Sequence, residues 1–206
     1  VVLYCSLPYY YSMKLIERPK YGPLHRFTDY HVYKTLSVLS DGTRKGRKQL
    51  ADKVGVGEGS MRTIVECIRE RGYIDVKQTG IKITKKGSEF YNEIPLQIYT
   101  LGESDLVHGR KGVAVQVKGV EDKIGSGMEQ RDRAMIAGAD GATTVLVKNG
   151  KLQIPGGIDL EGIYPDTAST LSKLFDLENG DIIIIGTASE YELAEEGAVT
   201  AALDLI

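Results

Sequence analysis

Cysteine and histidine are scarce in this sequence, and their scarcity excludes several classes of site. The two cysteines, Cys5 and Cys67, are too few for a disulfide framework and lack a metal-ligand spacing. The three histidines, His25, His31 and His108, form no His-x-Glu or His-x-x-x-His arrangement, so we predict no metal site. The sequence also has no recognisable Ser-His-Asp set. We therefore expect neither a catalytic centre nor a cofactor.

Long apolar runs are also absent. No stretch of about 18 consecutive apolar residues occurs, so no membrane-spanning helix is predicted. The first residues contain no basic region followed by an apolar core, so we expect no secretory signal. Together with the low cysteine content, these features favour a reducing, cytoplasmic setting without a membrane partner.

Acidic and basic residues are distributed unevenly along the chain. Residues 1–95 contain 17 Lys and Arg against 10 Asp and Glu, a balance of +7. The remaining residues contain 9 against 18, a balance of −9, which accounts for the net charge of −2. A basic first half suits a polyanionic partner, which would repel an acidic second half. The sequence thus indicates two domains with different partners.

One segment, residues 57–71, has the pattern of a helix with two different faces. Met61, Ile64, Val65 and Ile68 have the i, i+3, i+4, i+7 spacing of a helix that packs on a core. The opposite face carries short polar groups and arginines, which suit the DNA major groove: Gly59, Arg62, Thr63, Glu66 and Arg69. An ordinary solvated helix face has a similar composition, so the interpretation depends on the flanking sequence.

The flanking sequence predicts a winged helix-turn-helix domain over residues 28–95. The predicted elements are helices at 28–41, 46–54 and 57–71, a β-hairpin at 73–84 and a closing helix at 84–94. Apolar and polar residues alternate on both sides of a loop that contains Gly80, which is typical of a hairpin. Thr84 is suited to cap the closing helix, which Pro95 ends. Residues 1–27 show no steady period and are interpreted as an N-terminal arm.

Two motifs add a resemblance to a known family. Residues 49–62, Gln-Leu-Ala-Asp-Lys-Val-Gly-Val-Gly-Glu-Gly-Ser-Met-Arg, resemble the helix-turn-helix of winged-helix transcription regulators. Residues 83–87, Ile-Thr-Lys-Lys-Gly, resemble the exit from the wing of those proteins. The chain apart from the arm is similar to an archaeal family of predicted transcription regulators whose C-terminal domain has no assigned function. The resemblance implies double-stranded DNA as the partner.

Three groups of residues are predicted to contact DNA. Ser60, Arg62 and Thr63 on the recognition helix are expected to meet bases or phosphates, and Arg69 is expected to reach a phosphate. The other predicted contacts are Arg44, Lys45 and Lys48 near the second helix and Lys77, Gln78 and Lys82 on the wing. Because these contacts are mostly cationic, the DNA affinity should fall with rising salt.

A second domain, of a compact mixed α/β type, is predicted over residues 112–206. Residues 96–111 are interpreted as a linker, with an edge strand as the alternative. The pattern that follows reads β-α-β-β-α-β-α, so the fold class of the whole chain is α+β. Asn149-Gly150 indicates a hairpin, and residues 181–186 form an apolar strand expected to be buried on both faces. Residues 189–192, Ser-Glu-Tyr-Glu, predict a capping box at the last helix.

A glycine-rich turn in this second domain is the candidate site for a small anionic ligand. Gly125, Ser126 and Gly127 precede a predicted helix whose first turns carry Arg131. Exposed N–H groups and the helix dipole attract anions at such a turn. The alternative is an ordinary helix start, because the Lys-Ser/Thr of a full phosphate loop is missing.

The sequence as a whole favours a sequence-specific DNA-binding transcriptional regulator. Its second domain is expected to form a homodimer, to sense a small anionic effector, or to do both. Packing against a second copy is assigned to the strand 182–185 and to small residues of the last helix: Ala194, Ala198, Ala201 and Ala202. One alternative is an enzyme fused to a winged helix, with a nucleotide or phosphorylated metabolite in the α/β domain. Another is an RNA or protein interaction module.

Overall fold

The described residues of this computed structural model are Leu15, 26–107 and 109–206. Most of the predicted arm, residues 1–27, lies outside the described residues, as does His108. Leu15 and Phe27 belong to the predicted arm, yet both side chains are buried in the hydrophobic core. The backbone carbonyl of Leu15 accepts a hydrogen bond from the guanidinium of Arg71. At these positions the segment is therefore part of the fold.

The first unit is a winged helix-turn-helix. Its elements are α1 (Asp29–Leu39), α2 (Arg47–Val54), α3 (Glu58–Glu70), β1 (Ile74–Lys77), β2 (Gly80–Ile83) and α4 (Lys85–Glu93). The apolar stripe of α3 is buried as its spacing predicts, with Met61 and Ile64 fully inaccessible. Gly55 ends α2 in the left-handed conformation (φ 77°), which permits the tight turn into α3. The Thr84 hydroxyl accepts from the Gly87 amide and so caps α4, as predicted.

The second unit is a six-stranded antiparallel sheet covered by helices on both faces. Its elements are β3 (Leu96–Leu101), β4 (Lys111–Val117), α5 (Met128–Ile136), β5 (Gly141–Lys148), β6 (Lys151–Ile154), β7 (Ile158–Asp159), α6 (Leu160–Ile163), α7 (Pro165–Leu174), β8 (Ile182–Ala188) and α8 (Tyr191–Leu203). The strand order is β3-β4-β8-β5-β6-β7. The central strand β8 is buried on both faces, as predicted. Ile182 and Ile184 face the layer that contains α8, and Ile183 and Ile185 face the layer that contains α7.

Residues 96–101, at the start of the predicted linker, form the edge strand β3. This strand pairs with β4 from Leu96 opposite Val117 to Leu101 opposite Gly112. β3 is an edge strand of the sheet, and its Gln97 and Tyr99 side chains are exposed, which gives the segment the appearance of a polar connection in the sequence. The linker interpretation of these six residues is corrected to the edge-strand alternative.

Helix α8 lies close against the sheet because glycine allows the contact. A Cβ at Gly186 on β8 would meet the carbonyl oxygen of Ala194 and would lie 3.0 Å from the Cβ of Ala198. The small residues of α8 are consequently buried inside this chain, with Ala201 at 1% exposure and Ala202 at 0%. The prediction that these residues and the strand 182–185 pack against a second copy is therefore wrong. Periodicity indicated a buried small-residue face but not which surface covers it.

The start of α8 also differs from the prediction. The helix begins at Tyr191, its N-cap is Glu190, and no side chain makes a capping hydrogen bond there. The capping box predicted for residues 189–192 is therefore not formed. The expected Ser189 cap is one residue away from the position that the backbone adopts.

The two units share a packed junction between α1 and α8. The Lys34 ammonium lies 2.5 Å from a Glu195 carboxylate oxygen, and both side chains are about four-fifths covered. His31 Nε2 lies 3.6 Å from Glu196 Oε1, and burial lowers the pKa of His31 and raises the pKa of Glu196. One hydrophobic cluster runs through this junction and contains core residues of both units. The winged-helix unit is thus held against the last helix of the second unit.

We expect the Gly186→Ala substitution to destabilise the protein. The added methyl group has no room between β8 and α8, and overpacking of this kind costs about 1–3 kcal/mol of unfolding free energy. Urea denaturation of the full chain measures the loss. Gly162→Ala is the matched control, because no atom of the described residues lies within 4 Å of a Cβ at that helical position. Equal stability of the two variants would contradict the close approach of α8.

Candidate nucleic-acid interface

The outer face of α3 is polar and accessible, as a recognition helix requires. The Arg62 side chain is 70% exposed, and its Nε lies 3.2 Å from Glu66 Oε1, one turn further along the helix. Such an exposed i, i+4 pair contributes little and separates easily when a stronger acceptor is offered. Thr63 donates to the Gly59 carbonyl at 3.3 Å, and Arg69 is exposed near the end of the helix. Ser60, in the first turn, is partly exposed.

The basic residues before α2 have different environments. Lys48 and Arg47 are exposed on the first turn of α2. Arg44 is partly buried, donating to the Gly80 carbonyl at 2.9 Å and to Asp75 at 2.5 Å. This hydrogen bond from Arg44 is the main reason that the pKa of Asp75 is lowered. Arg44 therefore ties the chain before α2 to the wing.

Lys45 is buried, and its position leads us to leave it out of the proposed DNA contacts. Its backbone exchanges two hydrogen bonds of 2.9 Å with Ile81, so it acts as a short third strand beside the wing. Its ammonium lies 2.6 Å from both Asp41 carboxylate oxygens and from the Thr43 hydroxyl, and the side chain is 6% exposed. The hydrogen bond from Lys45 is the largest influence that lowers the pKa of Asp41, to about 2. The sequence did not reveal this role because it depends on the approach of β2.

The wing presents three polar residues beside a cleft. Lys77, Gln78 and Lys82 are exposed on the hairpin. The cleft, of about 280 Å³, lies between the hairpin, the start of α2 and α3, and Arg47 lines it together with Lys77. Arg47 was not among the predicted contacts, although it belongs to the same basic run as Lys48. The structure thus brings the start of α2, the hairpin and Val65 of α3 to one cleft, which the basic side chains of Arg47 and Lys77 line.

In the second unit, the predicted glycine turn lies beside a separate cleft of about 250 Å³. Ser126, Gly127 and Arg131 line this cleft, whereas Gly125 is exposed next to it. Gly127 is the N-cap of α5 and has a left-handed backbone (φ 78°). A Cβ at this position would also lie 3.2 Å from the Cβ of Thr144. Thr144 was not predicted as a site residue, because its proximity depends on the packing of β5 against α5.

Comparisons with known proteins divide the chain into the same two units. Residues 30–98 match the CggR N-terminal DNA binding domain, and residues 107–205 match a domain of unknown function, DUF4443. A hypothetical protein from Pyrococcus horikoshii OT3 is 31% identical over 84% of this chain and 91% of its own, with a TM-score of 0.66. The chain belongs to the family of that archaeal protein. In this chain the matched DNA-binding domain precedes the DUF4443 domain.

Two further comparisons complete this description. A MarR/EmrR family transcriptional regulator from Acinetobacter sp. ADP1 is 26% identical over 30% of this chain and 45% of its own, with a TM-score of 0.28. No curated protein matches the chain. The resemblance to winged-helix transcription regulators stated from the sequence is thus confirmed by the matched DNA-binding domain.

The described residues contain no group of three or more His, Cys, Asp or Glu side chains placed to hold a metal ion. None of the helices within the described ranges has the length and apolar character needed to cross a bilayer.

Substitution of Lys45 by Met should lower the stability of the protein, whereas the same substitution of Lys48 should weaken DNA binding. Lys45→Met removes the ammonium that bonds Asp41 and Thr43, so the free energy of unfolding should fall. The stability linked to Asp41 is present above pH 3.8 and is lost as the pH falls through about 2, and this dependence should weaken in the variant. Lys48→Met should leave stability unchanged and weaken binding to duplex DNA.

Thermal denaturation and DNA titration of both variants make this comparison. A Lys45→Met protein of wild-type stability, with the larger loss of DNA affinity, would contradict the assignment of Lys45 to the fold.

Proposed function

We propose that this protein is a transcriptional regulator that binds specific sequences in double-stranded DNA. The observation that carries the proposal is the clustering of exposed cationic side chains on α2, α3 and the wing, within a domain that matches a DNA-binding family. The major groove of B-DNA admits an α-helix, and winged-helix domains use their hairpin against the adjacent backbone. A DNA-binding role is consistent with the expected cytoplasmic setting.

The proposed contacts divide into those that read bases and those that meet phosphates. Arg62 is proposed to form a bidentate contact with guanine after it separates from Glu66, and further contacts are proposed for Ser60 and Thr63 on the same helix. Contacts with the DNA backbone are proposed for Arg44, Lys48 and Arg69 and for the wing residues Lys77, Gln78 and Lys82. The structure leads us to add Arg47 to this set. Arg44 and Lys77 share the wing carboxylate of Asp75, at 2.5 and 3.6 Å. Phosphate contacts set affinity and position, whereas the base contacts set the preferred sequence.

We also propose that the C-terminal domain pairs two copies of the chain and responds to a small anionic effector. Pairing is supported by apolar side chains that remain exposed on neighbouring parts of α5 and α8. Ile136 is 81% exposed and Met135 43%, and Leu193 is 38% exposed beside Gly138. Regulators that pair by a two-fold axis read two half-sites, and two-fold pairing is the commonest protein assembly.

Arg62→Ala should weaken binding to the selected DNA sequence and relax the preference for it. A bidentate contact between arginine and guanine is worth about 1–3 kcal/mol of discrimination, so the loss should be roughly five- to 150-fold. Selection from random duplexes defines the sequence, and fluorescence anisotropy measures the affinities at several salt concentrations. Lys77→Ala should instead weaken selected and random duplexes alike.

The control for both variants is Lys173→Ala, which removes an exposed cation from α7 in the second domain. This variant should retain wild-type DNA affinity. If Arg62→Ala left both affinity and sequence preference unchanged, α3 would not be the recognition helix.

Ile136→Asp should prevent pairing while leaving the fold intact, because a charge in an apolar contact between two copies is costly. Sedimentation of the full chain should show a dimer for the wild type and a monomer for the variant. The matched control, Ile163→Asp, changes an isoleucine that is 52% exposed on α6. A wild-type chain that stays monomeric, alone and on a duplex with two half-sites, would remove pairing from the proposal.

A further inference from the structure

The cleft beside α5 contains a buried hydroxyl without a hydrogen-bond partner among the described residues. The Thr144 side chain is 4% exposed, and its Oγ1 makes no hydrogen bond with any described residue. Leaving a buried polar group unsatisfied costs stability, and such groups in native proteins call for an explanation. Thr144 lines the cleft together with Gly127. A ligand oxygen in the cleft would supply the missing acceptor or donor.

The N-terminus of α5 opens into the same cleft. Its first intrahelical acceptor is the Gly127 carbonyl, which bonds the Arg131 amide at 3.1 Å. The amides of the first turn precede that bond, and the helix dipole makes this end positive. The Met128 amide donates to Ser126 Oγ at 3.4 Å, a long contact that an anion can displace. This end of the cleft therefore favours negative charge.

The other walls give the cleft both a cation and an apolar surface. Arg131 is exposed on the first turns of α5 and lines the cleft, which places a guanidinium beside the helix N-terminus. Ile154, Pro155 and Tyr164 also line the cleft and supply apolar surface against which an aromatic or aliphatic group would pack. A volume of about 250 Å³ limits the occupant to a small molecule.

We propose that this cleft binds a small organic anion, with its carboxylate or phosphate at the α5 N-terminus and a ring or short apolar group against Tyr164. The Thr144 hydroxyl and the Arg131 guanidinium hydrogen-bond the anionic group. The inference deepens the ligand-sensing part of the proposed function. It concerns binding to the second unit, so it stands or fails separately from DNA recognition.

Calorimetric titration of the full-length protein, without DNA, tests the site with four probes. Phenyl phosphate and benzoate carry both a ring and an anionic group, inorganic phosphate carries only the charge, and benzyl alcohol only the ring. At least one aromatic anion should bind with a Kd of about 1 mM or tighter. Inorganic phosphate and benzyl alcohol should bind about tenfold more weakly or not at all, because the first has no ring and the second has no anionic group.

Two substitutions locate the binding. Arg131→Ala should raise the Kd of the aromatic anion about tenfold or more, whereas Arg133→Ala, which removes an arginine paired with Asp204 at 2.8 Å, should leave it unchanged. Thr144→Val keeps the shape of the side chain and removes only the unpartnered hydroxyl. It should raise the Kd about fivefold while the thermal midpoint stays equal or rises. A merely structural threonine would not give that combination.

The outcomes separate cleanly. Saturable binding of an aromatic anion that both Arg131→Ala and Thr144→Val weaken supports the site. The proposal is overturned if neither aromatic anion saturates the protein, or if both variants bind the anion as tightly as the wild type does. DNA affinity measured in parallel on the wild type reports on the winged helix alone, so failure of one does not imply failure of the other.

Discussion

The close contact between α8 and the sheet is the constraint on which the rest of the structure depends. Because Gly186 has no side chain, the backbone of α8 reaches the sheet at Ala194 and Ala198. Gly197 gives α8 a second close contact, with Ala134 in α5 and with Ala139, which follows that helix. The remaining surface of α8 then meets α1 through Glu195 and Glu196. A single helix thereby fixes the sheet, α5 and the DNA-binding unit relative to one another.

This arrangement connects the proposed ligand cleft to the proposed recognition surface through packed elements. A ligand at the α5 N-terminus would contact α5. Helix α5 packs on α8, and α8 contacts α1 of the winged helix. A ligand can shift DNA affinity only to the extent that it binds two arrangements of these helices unequally. The Lys34–Glu195 and His31–Glu196 contacts at the junction are the polar groups that such a shift would rearrange.

Much of the fold could be predicted because local patterns and tertiary structure agree. The α3 stripe, the hairpin signal at Asn149-Gly150 and the apolar strand β8 each appear where periodicity or turn chemistry indicates. The candidate site was less predictable, because its chemistry depends on distant neighbours. In the sequence Lys45 has the pattern of an exposed cation, and only the structure shows that β2 lies beside it. Thr144 has the pattern of an ordinary strand residue, and only the structure shows that Gly127 lies against it.

The direct passage from α4 into β3 has a mechanical consequence. The Leu96 amide bonds the Ile94 carbonyl at 2.8 Å, and only Ile94 and Pro95 separate the last helix of the winged unit from the edge of the sheet. A connection this short has little torsional freedom to absorb a mismatch. In a pair of such chains, the separation and relative rotation of the two recognition helices would be fixed by protein packing. An extra base pair between the half-sites would then strain the complex, because no flexible linker could accommodate the changed spacing.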